Sequence, residues 1–147
     1  MNYFSLNTNV KELRIGDNSS KGIDKEIGKY IVFTMKIPWD VLKKNLTKTP
    51  KKIIFVESVE KDIIDNQIDN LDDFDTVLGV GGGMAIDCAK YTSWKLKKRL
   101  VSIPTILSVD AFTTPAAGIR VNHDVRYLGE ASPNPLIIDY KILKTAP

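Results

Sequence analysis

Short apolar runs alternate with amphipathic segments along the middle of the chain. The runs are rich in β-branched residues, as buried strands are, and occupy residues 30–35, 53–56, 76–80 and 100–103. The intervening segments carry apolar residues at helical spacing, such as Ile63, Ile64, Ile68 and Leu71. This alternation predicts an α/β fold, a Rossmann-like parallel sheet flanked by helices.

The pattern changes after residue 105. Residues 108–115 form a polar, Ser/Thr-rich loop, and residues 117–121 and 125–128 predict a β-hairpin near the C-terminal end. Residues 136–139 predict a last strand. Residues 1–29 give no clear elements, apart from a loop composition over residues 16–22.

A glycine cluster links the 76–80 strand to the helix that follows it. Gly81, Gly82 and Gly83 allow positive φ and let a ligand approach the backbone closely, because they carry no Cβ. The helix would point its free N–H groups at the opening, where a phosphate or pyrophosphate binds well. Its inner stripe begins with small residues that permit close packing on the strand: Ala85, Ala89, Ser93 and Leu96. An ordinary tight turn between strand and helix is the alternative.

Composition narrows the class of protein. The chain has 147 residues, with 43% hydrophobic and 27% charged, which is typical of one globular domain. No apolar run reaches about 18 residues, and the first seven lack the features of a signal peptide. With one cysteine as well, we expect a cytoplasmic protein.

The charge balance does not point to a polyanionic partner. The formal net charge is +3, and the densest basic run, residues 95–99, falls at the predicted end of the glycine-turn helix. Cations there complement the helix dipole. We therefore expect neither a nucleic acid nor a membrane as partner.

Two carboxylates follow predicted strands. Glu57 comes just after a buried strand and could accept the hydroxyls of an adenosine ribose, or it could be a solvent-facing acid that begins a helix. Asp110 lies in the polar loop beyond the next strand and could bind a polyol hydroxyl, or it could stabilise an Asx turn. On the glycine-turn helix, Asp87 and Lys90 are surface neighbours that could form an ion pair or touch a ligand.

These motifs together resemble a known family. The pattern Gly-Gly-Gly-x-x-x-Asp-x-x-Lys over residues 81–90, followed by Ile103-Pro104-Thr105 and Ser108-x-Asp110, is similar to the N-terminal half of the glycerol dehydrogenase and iron-containing alcohol dehydrogenase superfamily. Glycerol-1-phosphate dehydrogenase and dehydroquinate synthase belong to the same superfamily. The loop is most similar to the glycerol dehydrogenase version, because the glycerol-1-phosphate enzymes usually carry His-Asp-Gly at residues 109–111.

The resemblance implies a dehydroquinate synthase-like N-terminal domain that binds NAD or NADP. Glu57 would hold the adenosine ribose and favour NAD, and Asp110 would bind the substrate. The pyrophosphate and the rest of the cofactor would contact Gly81, Gly82, Gly83, Met84, Asp87, Thr105 and Thr114. The hairpin would cover the nicotinamide side.

The resemblance also implies a divalent metal, zinc or iron, held by a following helical domain. The chain ends before any such ligand, so we expect residues 1–147 to be the dinucleotide-binding domain of an NAD(P)-dependent, metal-containing polyol dehydrogenase, incomplete for catalysis by itself. Its partners would be a polyol or polyol phosphate and a helical metal-binding domain or subunit, and a homo-oligomer is compatible with the sequence. The alternatives are a stand-alone nucleotide-binding module and a dehydroquinate synthase-like lyase.

Overall fold

A six-stranded parallel sheet forms the centre of the protein. The computed structural model describes residues 10–107 and 110–146. The strand order across the sheet is β1-β8-β5-β4-β2-β3, and every neighbouring pair runs parallel. The strands are β1 (Leu13–Gly16), β2 (Tyr30–Thr34), β3 (Lys52–Phe55), β4 (Thr76–Gly81), β5 (Arg99–Pro104) and β8 (Pro133–Asp139).

Helices cover both faces of this sheet. Helices α2 (Lys61–Ile68) and α3 (Gly83–Leu96) lie on one face, and α1 (Lys36–Leu42) and α4 (Tyr140–Leu143) lie on the other. Alternate residues of a strand therefore enter different cores: Ile31 of β2 packs towards α2 and α3, whereas Val32 packs towards α1. Burial on both faces explains why the strands are almost continuously apolar in sequence.

A two-stranded antiparallel hairpin, β6 (Ala117–Val121) and β7 (Asp124–Leu128), packs beside α3. Its turn residues Asn122 and His123 both have positive φ, of 51° and 70°. Positive φ at both central residues is the geometry that matches a tight turn to the twist of the two strands. The inner strand β6 is partly buried, while β7 is largely exposed.

The predicted α/β class, parallel sheet and hairpin are confirmed. The predicted strands agree with β2, β3, β4 and β5 to within one residue at each end, and β8 begins three residues before the predicted 136–139 strand. The strand β1, at the sheet edge, and the four-residue helix α4 after β8 were not predicted. None of the helices within the described ranges has the length and apolar character that a membrane span needs.

The small residues of α3 allow it to lie directly on β4. A Cβ placed on Gly79 would come within 2.7 Å of the Ala89 Cβ, and one on Gly81 within 3.0 Å of the Ala85 Cβ. Both distances are too tight for an added side chain to fit without movement, so glycine on the strand and alanine on the helix allow the two to approach closely. This close packing fixes the start of α3 at the carboxyl end of β4.

Candidate functional site

The carboxyl ends of β2 and β4 form the point where the sheet topology changes direction. From β2 the chain passes through α1 to β3 on one side, and from β4 it passes through α3 to β5 on the other. The two connecting helices lie on opposite faces of the sheet. Open α/β sheets bind their ligands in the crevice that such a divergence leaves at the carboxyl edge.

A cleft of about 520 Å³ occupies this position. We call it the switch-point cleft. Its lining comes from the ends of three strands and from the last described residues: Met35, Lys36, Ile37, Pro38, Gly82, Thr105, Ile106, Thr145 and Ala146. The surface of the cleft is mostly apolar, which is typical of small-molecule and cofactor sites.

Glycine is required at two different points of the turn for two different reasons. Gly81 has a φ of 151°, a conformation that other residues rarely adopt. Gly82 has an ordinary φ of −84°, and a Cβ there would meet Ile106 Cγ2 at 3.4 Å inside the cleft. The backbone does not demand glycine at position 82, and a side chain there would enter the cleft beside Ile106.

Helix α3 begins at this turn and presents its N-terminus to the cleft. The first intrahelical hydrogen bond runs from the Ile86 N–H to the Gly82 carbonyl at 3.1 Å. The N–H groups before Ile86 have no partner within the helix, and together with the helix dipole they favour an anion. The Thr105 N–H donates to the Gly81 carbonyl at 3.1 Å, which fixes Thr105 beside the turn. Met84, in the first turn of α3, is exposed.

Asp87 and Lys90 form an ion pair on the side of α3 that faces the hairpin. Lys90 Nζ lies 3.2 Å from Asp87 Oδ1, and the Asp87 carboxylate also accepts the Gly118 N–H. The Lys90 side chain is 1% exposed and that of Asp87 is 18% exposed. Burial raises the pKa of Asp87 and lowers that of Lys90, while each charge opposes the shift of the other.

Lys90 also holds the polar loop that follows β5. Its Nζ donates to the carbonyl of Ala111 at 2.7 Å and to the carbonyl and hydroxyl of Thr114 at 3.1 and 3.3 Å. Thr114, predicted to touch the cofactor, thus has its hydroxyl directed at Lys90. Of the two sequence interpretations, the ion pair is present, and it extends into a clamp between α3 and the loop.

Asp110 begins the clamped part of this loop and is exposed. Its carbonyl accepts the N–H groups of Thr113 and Thr114, so the backbone closes the turn. The predicted contact between Asp110 and a substrate hydroxyl remains a prediction. Ser108 and Val109, which carry part of the predicted loop motif, lie outside the described residues.

Glu57 lies one strand further from the glycine turn than β2. It follows β3, the edge strand, and is exposed. The residue that follows the strand next to β4 is Met35, and the lining of the switch-point cleft includes Met35 and Lys36 rather than Glu57. The predicted contact between Glu57 and a ribose remains a prediction.

Comparison of the sequence with known proteins identifies its family. Residues 24–147 match the family model described as iron-containing alcohol dehydrogenase. The chain belongs to the iron-containing alcohol dehydrogenase family.

The curated proteins that are similar in sequence to this chain share a more specific name. The chain is 38% identical over 80 residues to the glycerol-1-phosphate dehydrogenase [NAD(P)+] of Methanococcus aeolicus, covering 54% of this chain and 22% of that protein. It is 28% identical over 151 aligned positions to the enzyme of the same name from Sulfurisphaera tokodaii, covering 98% of this chain and 41% of that protein. The chain thus spans less than half the length of these relatives.

A solved structure shares the fold. Glycerol dehydrogenase from Schizosaccharomyces pombe superposes with a TM-score of 0.78 at 21% identity, over 97% of this chain and 40% of that one. The similarity supports the Rossmann-like α/β fold described above.

The metal in the family name has no matching ligand set in the described part of this chain. Residues 10–107 and 110–146 contain no group of three or more His, Cys, Asp or Glu side chains placed to hold a metal ion.

Two parts of the site were not found in the sequence. Residues 35–38 line the cleft with Gly82, but the sequence indicates only that a strand ends at Met35 and that a helix can begin at Pro38, and nothing there signals that β2 neighbours β4. The contacts of Lys90 with Ala111 and Thr114 span more than 20 residues. The only signal of these contacts in the sequence was the spacing of Asp87 and Lys90 on the predicted helix.

Proposed function

We propose that this chain forms the NAD(P)-binding part of a dehydrogenase that oxidises a polyol or a polyol phosphate. The observation that carries the proposal is the switch-point cleft, in which Gly82 is free of a side chain although its backbone does not require glycine. Membership of the iron-containing alcohol dehydrogenase family supports the same assignment. The name of the curated relatives, glycerol-1-phosphate dehydrogenase [NAD(P)+], supports both the substrate class and the cofactor.

Each part of the site has a role in this proposal. The Gly82 backbone and the N-terminus of α3 bind the pyrophosphate, since free N–H groups and the helix dipole stabilise its charge. Thr105, held beside Gly81, contacts the cofactor further along the cleft. The nicotinamide, when bound, supplies the hydride acceptor, and the protein supplies orientation and electrostatics.

Asp110 would bind the substrate, and Lys90 would keep the loop in place for it. A carboxylate accepts hydrogen bonds from two adjacent hydroxyls, which suits a polyol. Lys90 is too deeply buried to reach a substrate, and its four oxygen contacts tie the loop to the same helix that begins at the cofactor turn. One rigid helix would thus position both ligands.

Calorimetric titration of the 147-residue chain with NADH and NADPH tests the proposal, with Gly82→Ala and Gly82→Val as graded variants. We expect the wild type to bind at least one of the two. Gly82→Val should lose about tenfold or more in affinity, and Gly82→Ala less, because each added carbon fills the cleft beside Ile106. Thermal unfolding of each variant checks that its fold is intact. Equal affinity in the wild type and Gly82→Val, or no binding by the wild type, would contradict it.

A further inference from the structure

The switch-point cleft has a lysine on the side that faces the glycine turn. Met35 and Lys36 follow β2 directly and line the cleft together with Gly82 on the β4 side. The cleft lining contains no Asp or Glu among the described residues. Its charged group is therefore a cation.

This position decides how an adenosine ribose is recognised. A dinucleotide that places its pyrophosphate on a glycine turn extends its adenosine across the end of the neighbouring strand. A carboxylate at that strand end accepts the 2′- and 3′-hydroxyls, whereas a cation there pairs with a 2′-phosphate. The strand next to β4 is β2, and the first charged residue beyond its end is Lys36, two positions after Thr34, whereas Glu57 follows β3.

Lys36 is free to change partners. Its side chain is 80% exposed, and it forms an ion pair with Asp40 at 3.1 Å one helical turn away. Exposed pairs of this kind contribute little, so a phosphate with two charges can replace the carboxylate. Asp40 would keep its second partner, Lys43, at 3.0 Å.

We propose that Lys36 selects a dinucleotide that carries a 2′-phosphate, so that the chain binds NADP(H) in preference to NAD(H). The inference rests on the proposed function, because it assumes that the cleft holds a dinucleotide. It opposes the preference for NAD that Glu57 led us to expect.

The test compares adenosine 2′,5′-bisphosphate with 5′-AMP, two probes that differ by the 2′-phosphate alone. Calorimetric titrations use the wild-type chain, Lys36→Gln and the matched control Lys43→Gln. Lys43 shares Asp40 with Lys36 and carries the same charge, but it does not line the switch-point cleft. Both lysines are largely exposed, so neither change should affect folding.

We expect the wild type to bind the bisphosphate about fivefold more tightly than 5′-AMP, as one exposed ion pair with a phosphate implies. Lys36→Gln should remove most of this preference with little change in the affinity for 5′-AMP, and Lys43→Gln should retain it. A preference that survives in Lys36→Gln, or is absent from the wild type, would overturn the role of Lys36 alone. Failure of the wild type to bind either probe or either dinucleotide would overturn the proposed function as well.

A further variant, Glu57→Gln, distinguishes between the acidic candidate, Glu57, and the basic candidate, Lys36. If Lys36 is the selecting residue, Glu57→Gln should leave the ratio of the two affinities unchanged. A rise in bisphosphate affinity together with a loss of 5′-AMP affinity in this variant would contradict the proposal and restore Glu57 as the ribose ligand.

Discussion

Lys90 Nζ lies 3.2 Å from Asp87 Oδ1 and donates at the same time to three oxygens of the loop that contains Asp110. An ion pair on a helix surface is ordinarily a minor contribution. Here the lysine is buried and satisfied on all sides, so it joins the cofactor-turn helix to the loop. The predictions that follow begin with this clamp.

Lys90→Met should destabilise the chain by about 3 kcal/mol, because it leaves the Asp87 carboxylate partly buried without its cation and leaves the loop carbonyls without a donor. Urea unfolding measures the loss, and hydrogen exchange should rise at residues 111–116. Lys97→Met, at an exposed position ending the same helix, is the control. The double variant Asp87→Asn/Lys90→Met should lose less than the sum of the single changes. Additive losses would show that the pair is not coupled.

Gly79→Ala should cost about 1–3 kcal/mol, because the new Cβ would lie 2.7 Å from the Ala89 Cβ and force α3 away from β4. Gly82→Ala, whose Cβ would lie 3.4 Å from its nearest neighbour, should cost much less. Thermal unfolding of the two variants gives the comparison. Combining Gly79→Ala with Ala89→Gly should restore part of the loss. Equal stability of the two alanine variants would contradict the close packing of helix on strand.

The loss of unfolding free energy at acidic pH should depend on Asp65. Burial alone would raise the pKa of Asp65, but hydrogen bonds from Lys61, Lys95 and Tyr91 outweigh it and lower the pKa to about 2. The folded pKa lies below the unfolded value, so this carboxylate stabilises the fold above about pH 4, and the contribution disappears as the pH falls towards 2.

Asp65→Asn should therefore flatten the dependence of unfolding free energy on pH between about 4 and 2, by at most about 2 kcal/mol. Urea unfolding at a series of pH values compares this variant with the wild type. A slope in Asp65→Asn equal to that of the wild type would remove Asp65 from the acid response.

Local pattern was sufficient for much of the fold. The glycine turn and α3 were predictable because a buried apolar strand, a glycine cluster and a small-residue stripe all lie within about 20 consecutive residues. The hairpin was predictable because alternation and turn residues are adjacent in the sequence. In contrast, β1 is an edge strand of four residues, Leu13–Gly16, and forms by pairing with β8 at the far end of the chain.

The candidate site was predictable only in part, for a related reason. The sequence predicted the glycine turn because it follows a buried strand directly, and the role of Asp110 in the later loop stays a prediction. It could not identify which strand lies next to β4, because strand order is a property of long-range packing. Glu57 was chosen as the residue after a strong strand, yet that strand is separated from β4 by β2, and Lys36 is the residue that lines the cleft.

The location of the dinucleotide is the central claim, and amide chemical shifts test it most directly. A second cleft, of about 620 Å³, lies near the opposite edge of the sheet and is lined by Trp94, Lys98, Leu100 and Ser132 among others. In a ¹⁵N–¹H titration with NADPH, we predict that the largest shifts occur at Ile37, Gly82 and Thr105. Shifts confined to Trp94, Lys98 and Ser132 would place the ligand in the other cleft and contradict the account.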